Sequence, residues 1–395
     1  MNILTRAVRS ILWRTGIGRK VGEIYWKKRN EGEDLKYLFY NKKDVFKNIP
    51  INFADERYNA FLKKDLEHWK FQEEYILEMD NVTIEPERCL GTKGVNQLIE
   101  QTVVYKQDYQ YPYILTHLLN RKKTKKIEEA ILYDGSATRN YFHHLVEAVS
   151  SLSMFNEIQF RRDIPLIINR AMYDQKIFQY LLNNSKIFKS FNWKIQEPNE
   201  WLEVSKLYRL RALHFDAKTW KYTKELYNVQ DITPFRKVFL SRDKKLYTRG
   251  LANEDDVISM LKKYDFEVVY AEHLTVDEQI KVFQETKYLV ALTGMGLIQQ
   301  FFMNYEEAHV IEIIPINRLM PEYYCQAFVL GIKYYDVVLG DDVNLLEAEK
   351  NESPKRYEGL KEYNMNIPIL EAAVNRMLKA PSTHKIYGNG TIKIN

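Results

Sequence analysis

The chain has 395 residues, 45% of them hydrophobic and 28% charged, and a formal net charge of +5. That length suits two domains rather than one small core, the composition is that of an ordinary globular protein, and the excess charge is too slight to mark the whole protein as a binder of nucleic acid. Two cysteines far apart, Cys89 and Cys325, make neither a disulfide framework nor a metal cluster and read as reduced thiols, and no run approaches the ~20 apolar residues that cross a bilayer.

Residues 1–30 are basic. Leu4, Val8, Ile11 and Leu12 fall on one helical face with Arg6 and Arg9 beside it, and Gly16 and Gly18 end the pattern. Two readings stand: a short helix lying on an anionic membrane surface, and a helix docked on the protein's own surface. Arg6, Arg9 and Arg14 interrupt the apolar positions, so the segment reads poorly as a secretory signal. Residues 31–90 mix charged and aromatic side chains and carry no readable site. The run Arg121-Lys122-Lys123-Thr124-Lys125-Lys126 reads as a solvated loop, with contact to an anionic acceptor or lipid as the alternative.

A strand–helix series opens with a predicted strand at Glu129–Asp134. A helix follows from about Asn140, a favourable N-cap residue. Leu145, Val149 and Leu152 mark its buried side, and His143, Glu147 and Ser151 the other. His143 and Glu147 are one turn apart on one face, as a proton-accepting pair needs to be; the plain alternative is a solvated i, i+4 pair. A strand at 165–169, a helix at 175–182, a strand pair at 204–213 and a linker at 231–234 complete this half.

From Lys237 to Pro315 short apolar runs alternate with helical spacing. Strands are predicted at 238–240, 268–270, 288–292 and 310–314. Val257, Met260 and Leu261, then Ile280, Val282 and Phe283, mark the helices between them. Such alternation predicts a parallel sheet with helices on both faces, which binds ligands at the carboxyl ends of its strands. Two ends carry chemistry. Arg242, with Arg249 on the same loop, suits phosphate oxygens. Thr293-Gly294-Met295-Gly296 lets backbone approach a ligand, and a helix from Leu297 would offer amides to an anion. Glu312 ends a strand in the same crevice and suits sugar or ribose hydroxyls. The plain alternatives are a surface arginine beside Lys244 and Lys245, a tight turn, and a solvated carboxylate. Asp255-Asp256 and Asp341-Asp342 are adjacent pairs, not Asp-x-Asp, so no metal site is read. Beyond Pro315 a helix at 323–330, a strand at 333–338, a loop at 351–354 and an amphipathic helix at 367–378 are predicted. By analogy with two-lobed transferases, that last helix packs back on the first lobe. Residues 380–395 read as frayed.

Taken together, LSR (240–242), RGLANE (249–254), DEQ (277–279), TGMGL (293–297), VIEIIP (310–315) and NYFHHLVE (140–147) resemble glycosyltransferase family 61, the capsular polysaccharide biosynthesis type. Two positions depart from the family pattern: Thr293 stands where the family has His, and Gln299 where Asn often follows. The resemblance implies an α/β fold of two Rossmann-like lobes facing a cleft, the glycosyltransferase-B arrangement. The expected divisions are a basic segment at 1–30, an acceptor lobe at 31–232, a nucleotide-sugar lobe at 233–345, and a C-terminal helix and tail at 346–395. It implies that Arg242, Arg249, Thr293, Gly294, Met295, Gly296, Leu297 and Glu312 hold the donor. Asn140, Glu254 and Gln279 then complete the cleft, and Glu147 and His143 activate the acceptor, with Glu147 the favoured proton acceptor. The expected activity is inverting, metal-independent and cofactor-free transfer from a nucleotide sugar, UDP-linked, to a glycan or lipid-linked glycan in bacterial surface polysaccharide synthesis. The expected location is the cytoplasm, against the inner face of the plasma membrane, with no nucleic-acid partner. The competing readings are an NAD(P)-dependent oxidoreductase built on Gly294-Met295-Gly296 and a non-catalytic membrane-associated assembly protein.

Overall fold

The computed structural model describes residues 27–28, 35–86, 88–94, 97–102, 124–133, 141–156, 160–198, 200–230, 232–244, 250–340, 362–381 and 384–393. The basic N-terminal pattern, Asn140, Arg249, Asp341-Asp342 and the 351–354 loop lie outside them. The chain is mixed α/β and divides into two units: the described residues of Met1–Lys42 and Glu73–His214, and those of Lys43–Gln72 and Phe215–Asn395.

The first unit is built on a nine-stranded mixed sheet. Its strands are β1 (Lys27–Lys28), β2 (Leu35–Asp44), β3 (Phe71–Ile84), β4 (Gly91–Lys93), β5 (Gln97–Leu98), β6 (Thr124–Leu132), β7 (Leu166–Asn169), β8 (Trp193–Gln196) and β9 (Trp201–Arg211). β9, β6, β7 and β8 lie side by side in parallel, and β3 runs antiparallel along the far edge of β9. From β6 the chain moves to β7 on one side and, after β8, returns to β9 on the other. The carboxyl ends of β6 and β9 therefore lie side by side. All four residues of β7 are buried, as a strand covered on both faces requires. Two expectations change here. Residues 204–213 belong to one long strand, because β9 pairs without interruption with both β3 and β6. The basic run supplies the start of β6 from Thr124, since backbone pairing is indifferent to lysines whose heads reach outward; Lys125 pairs with Glu200.

The second unit carries a seven-stranded sheet in the order β12-β10-β13-β14-β15-β17-β18. The strands are β10 (Arg236–Ser241), β12 (Glu267–Tyr270), β13 (Thr286–Leu292), β14 (His309–Pro315), β15 (Tyr334–Gly340), β17 (His384–Tyr387) and β18 (Gly390–Lys393); β11 (Gly250–Leu251) and β16 (Glu362–Tyr363) form a small pair of their own. The first five strands of the sheet in chain order are parallel and lie 2-1-3-4-5, a doubly wound order whose switch point falls between β10 and β13. β14 and β15 are buried throughout, which is why they read as unbroken apolar runs.

Helices close this sheet. Residues 43–72 belong to this unit, and they carry α1 (Glu56–Trp69), capped by Asp55. Tyr58 of α1 is fully buried and donates to the Met320 carbonyl at 3.2 Å, and Phe53 packs edge-on against Tyr324 at 4.9 Å. α2 (Glu254–Lys262) starts with three acids that complement its dipole. A full capping box of Thr275 and Glu278 starts α3 (Val276–Glu285). α4 (Glu322–Leu330) ends on Gly331 at φ +74°. α5 (Ile367–Leu378) buries Leu370, Ala373, Val374 and Met377 in one core with Val257, Met260 and Leu261 of α2. The expectation that sent it to the first lobe is corrected, because its apolar stripe is covered by its own unit. The C-terminal stretch is likewise not frayed. β17 extends the sheet beside β15, and β18 folds back on it with Tyr387 1% exposed. Neither cysteine is in a disulfide, and both are buried. Among the described residues no helix is long and apolar enough to cross a membrane.

Candidate active site

In the first unit, β6 ends at Leu132 and a helical segment starts at Tyr141. It passes from α to π geometry at His144–Val149, then to a 3-10 turn at Leu152–Asn156. Single π turns inside helices are frequent at functional sites. His144, Leu145, Val146, Ala148 and Val149 are buried, as are Ser150 and Ser151, so Ser151 does not share the open face expected for it. His143 and Glu147 keep 19% and 17% of their side chains exposed, and His143 Nδ1 lies 2.7 Å from Glu147 Oε1. With the shared proton on Nδ1, the neutral imidazole carries its lone pair on Nε2.

Burial pushes the Glu147 carboxyl up, but the hydrogen bond from His143, helped by the electrostatic influence of the His214, His143 and Arg209 side chains, outweighs it and holds it below its ordinary pKa. A carboxylate so stabilised is a poor proton acceptor and a good orienting partner. Its neighbours come from the end of β9. Arg209 donates to the Leu132 carbonyl at 2.9 Å, tying the ends of β9 and β6 together. His214, just past the strand, is drawn down to about 4 by burial against the opposing pull of Glu147. His144 has a different role from its neighbour. It is fully buried, 3.2 Å from the Tyr133 hydroxyl and packed against Phe178, and burial lowers it to about 3, so it stays neutral in the core. Arg209 and His214 were not legible as site residues; their only signal is that basic and aromatic polar residues cluster where a strand ends.

In the second unit, the carboxyl ends of β10 and β13 meet at the switch point. Arg242, the residue after β10, donates to the Thr293 carbonyl at the end of β13. Gly294 has φ +134° and ψ −174°, a conformation essentially restricted to glycine. A Cβ there would run into Arg242 Nη2. So Arg242 reaches its position only because residue 294 has no side chain. Met295 is 44% exposed beside this contact. Gly296 fits under Leu240, where a Cβ would come within 3.2 Å of Leu240 Cδ2. The segment Met295–Phe302 is a 3-10 helix that starts two residues before the helix expected from Leu297, and the Leu297 amide already donates to the Gly294 carbonyl at 2.8 Å. Its buried face of Leu297, Ile298, Phe301 and Phe302 anchors the turn.

The remaining predicted residues support this turn. Glu254 is buried at the start of α2; Ser241 donates to it, and Lys244 approaches to 3.5 Å. Gln279 on α3 donates to the carbonyls of Ala271 at 2.8 Å and Leu274 at 3.2 Å and accepts from Gln299. Its amide thus fixes the turn after β12. Glu312 on β14 is fully buried, so it is not the solvated carboxylate of the plain reading. It accepts from the Tyr335 hydroxyl at 2.5 Å. Burial raises it to about 7, against the lowering influence of the Thr293 and Tyr335 hydroxyls. Arg318, in the 3-10 turn that follows β14, went unnoticed in the sequence. It and Arg242 both bear on the Tyr323 hydroxyl, which makes Arg318 a second cation of this strand-end region.

Each unit therefore places charged side chains at the carboxyl ends of adjacent parallel strands, in the second unit at the switch point of a doubly wound order, which defines an α/β protein of the class that binds ligands at its strand ends. Residues 141–311 match the family model of glycosyltransferase 61, the family that the motifs resemble, and the match implies glycosyltransferase activity. The matched stretch takes in His143, Glu147, Arg242 and the Gly294 turn, and stops one residue before Glu312. No curated protein matches the chain.

Proposed function

We propose that this chain is an inverting, metal-independent transferase that moves a sugar from a nucleotide sugar, UDP-linked, to a hydroxyl of a glycan or lipid-linked glycan during bacterial surface polysaccharide synthesis. In this reading the two units are the lobes of a glycosyltransferase-B enzyme facing a cleft, the first taking the acceptor and the second the donor. The enzyme works at the inner face of the plasma membrane, held there by the basic N-terminal segment. The observation that carries the reading is the 2.7 Å contact between His143 and Glu147 at the end of β6.

The chemistry follows from that pair. His143 Nε2 takes the proton of the acceptor hydroxyl while Glu147 holds the ring and stabilises the imidazolium that forms. The acceptor oxygen attacks the anomeric carbon from the face opposite the diphosphate, and the bond to the diphosphate oxygen breaks with its electron pair. Arg242 and Arg318 offset the charge that develops on the leaving group. Glu147 was the favoured base from sequence; its lowered pKa is the reason the imidazole is assigned that part here. The dinucleotide reading fares less well. Its glycine fingerprint belongs after the first strand of a lobe, whereas Gly294 follows β13, the third. Gln299 replaces the third glycine, and Glu312, the acid in the ribose position, is buried against Tyr335. A thermal-shift comparison separates the two. Nucleoside diphosphate sugars should raise the melting temperature and NAD(P) should not; a rise with NAD(P) alone would replace this proposal.

A further inference from the structure

The first unit has a concave surface that the proposed chemistry does not use. It encloses about 700 Å³, and its lining includes Tyr37 of β2, Glu73 and Tyr75 of β3, Gln101 of the turn after β5, and Arg211 of β9. Tyr40 and Glu100 also face it. That volume is in the range of small-ligand pockets. Tyr37 and Tyr40 are 46% and 48% exposed, yet both rings are held. Tyr37 stands edge-on to Tyr40 at 5.3 Å and to Tyr75 at 5.7 Å. The Tyr40 hydroxyl donates to Glu73 at 2.9 Å, and the Arg211 guanidinium lies 5.9 Å from the Tyr75 ring centre.

Rigid amphipathic rings interleaved with carboxylates, an amide and a guanidinium match one ligand chemistry well. A pyranose has apolar C–H faces that lie on aromatic rings and a rim of hydroxyls that need both donors and acceptors. Two acids against one arginine argue against a phosphate or another anion. The surface also shares strand β9 with the neighbours of the proposed centre. Arg211 sits opposite Tyr75 in the β3–β9 register, Arg209 two residues before it ties down the end of β6, and His214 just after it lies in the field of both Arg211 and Glu147.

We propose that this concavity is an acceptor subsite that holds the already assembled sugars behind the hydroxyl activated by His143 and Glu147; the assignment rests on the transferase reading above. It makes the enzyme one that extends an oligosaccharide rather than one that primes a bare sugar. The test uses the full chain and saturation-transfer NMR with three uncharged hexasaccharides, cellohexaose, maltohexaose and chitohexaose. Transfer to at least one is expected, and it should weaken about tenfold in Tyr37→Ala/Tyr40→Ala. That double variant changes only exposed rings, and its thermal melting checks that it remains folded. Absence of transfer to all three, or transfer unchanged in the double variant, overturns the subsite. The nucleotide-sugar thermal shift is read on the same samples. If oligosaccharide transfer is lost in the variant but no nucleotide sugar binds either protein, the subsite stands and the transferase reading falls.

Discussion

His143 Nδ1 and Glu147 Oε1 lie 2.7 Å apart, one turn from each other on a segment that is π-helical from His144. The pair is only partly exposed, and its carboxylate is held ionised by its surroundings. Such a contact orients an imidazole and fixes its tautomer. Glu147→Gln should therefore lower kcat by roughly 10²–10⁴, as should His143→Ala. The two losses should not add, because the residues act as one unit. Nucleotide-sugar binding by thermal shift should stay near that of the parent. Near-full turnover in both folded variants would remove the pair from the mechanism.

Gly294 and Arg242 form the second testable contact. Gly294→Ala places a methyl group in a glycine-only conformation and against Arg242 Nη2. It should cost roughly 1–3 kcal/mol of stability and weaken nucleotide-sugar binding as Arg242 is displaced. Adding Arg242→Ala should restore part of the stability, by removing the clash, and none of the binding. Chemical denaturation and donor titration on the single and double variants decide this. Full donor affinity in Gly294→Ala would separate the turn from the donor.

Glu312 should make stability depend on pH in a stated direction. Burial raises its pKa from 4.5 to about 7. Between those values the folded chain keeps a proton that the unfolded chain has lost. The stability contributed by this residue therefore falls as pH rises through that window and stays lost above 7. Glu312→Gln has no proton to lose. It should be about 3 kcal/mol more stable than the parent at pH 8 and close to it at pH 4.5. Urea unfolding at both pH values measures this; an equal difference at the two would contradict the assigned titration.

Turnover should not need a divalent metal. No Asp-x-Asp occurs in the sequence, Asp255 and Asp256 serve the first turn of α2, and Arg242 with Arg318 supplies positive charge at the strand ends. Excess EDTA should leave the rate unchanged. A loss restored by Mn²⁺ or Mg²⁺ would require carboxylate ligands in place of this arrangement.

The first twenty residues should recruit the protein to anionic bilayers through the Leu4, Val8, Ile11 and Leu12 stripe and its flanking arginines. Liposome co-sedimentation of the full chain should fall as salt screens the attraction, and should be lost in a chain that starts at Val21. Equal sedimentation of the two would show that the segment serves the protein's own fold.

What the sequence determined by itself was local. Apolar runs with period two or 3.6 placed β10, β12, β13, β14, β15 and α2 to α5 close to their observed limits, because each buries its own stripe. Gly294 and Arg242 were legible for the same reason, since a glycine turn and a cation directly after buried strands mark strand ends. Tertiary structure decided everything that depends on which distant segment supplies a partner. The 2-1-3-4-5 strand order brings Arg242 onto the Thr293 carbonyl. Burial on β14 turns Glu312 from a solvated acid into one that titrates near 7. Pairing with β15 makes a hairpin of a tail that has no strong pattern of its own, and the polar basic run begins β6 because β9 offers it a backbone edge. The aromatic concavity is the clearest case. Tyr37, Tyr75 and Arg211 are scattered over the sequence and meet only because β2 pairs with β3 and β3 with β9. Backbone pairing across such separations is set by the burial of the whole sheet and leaves no mark in any local window.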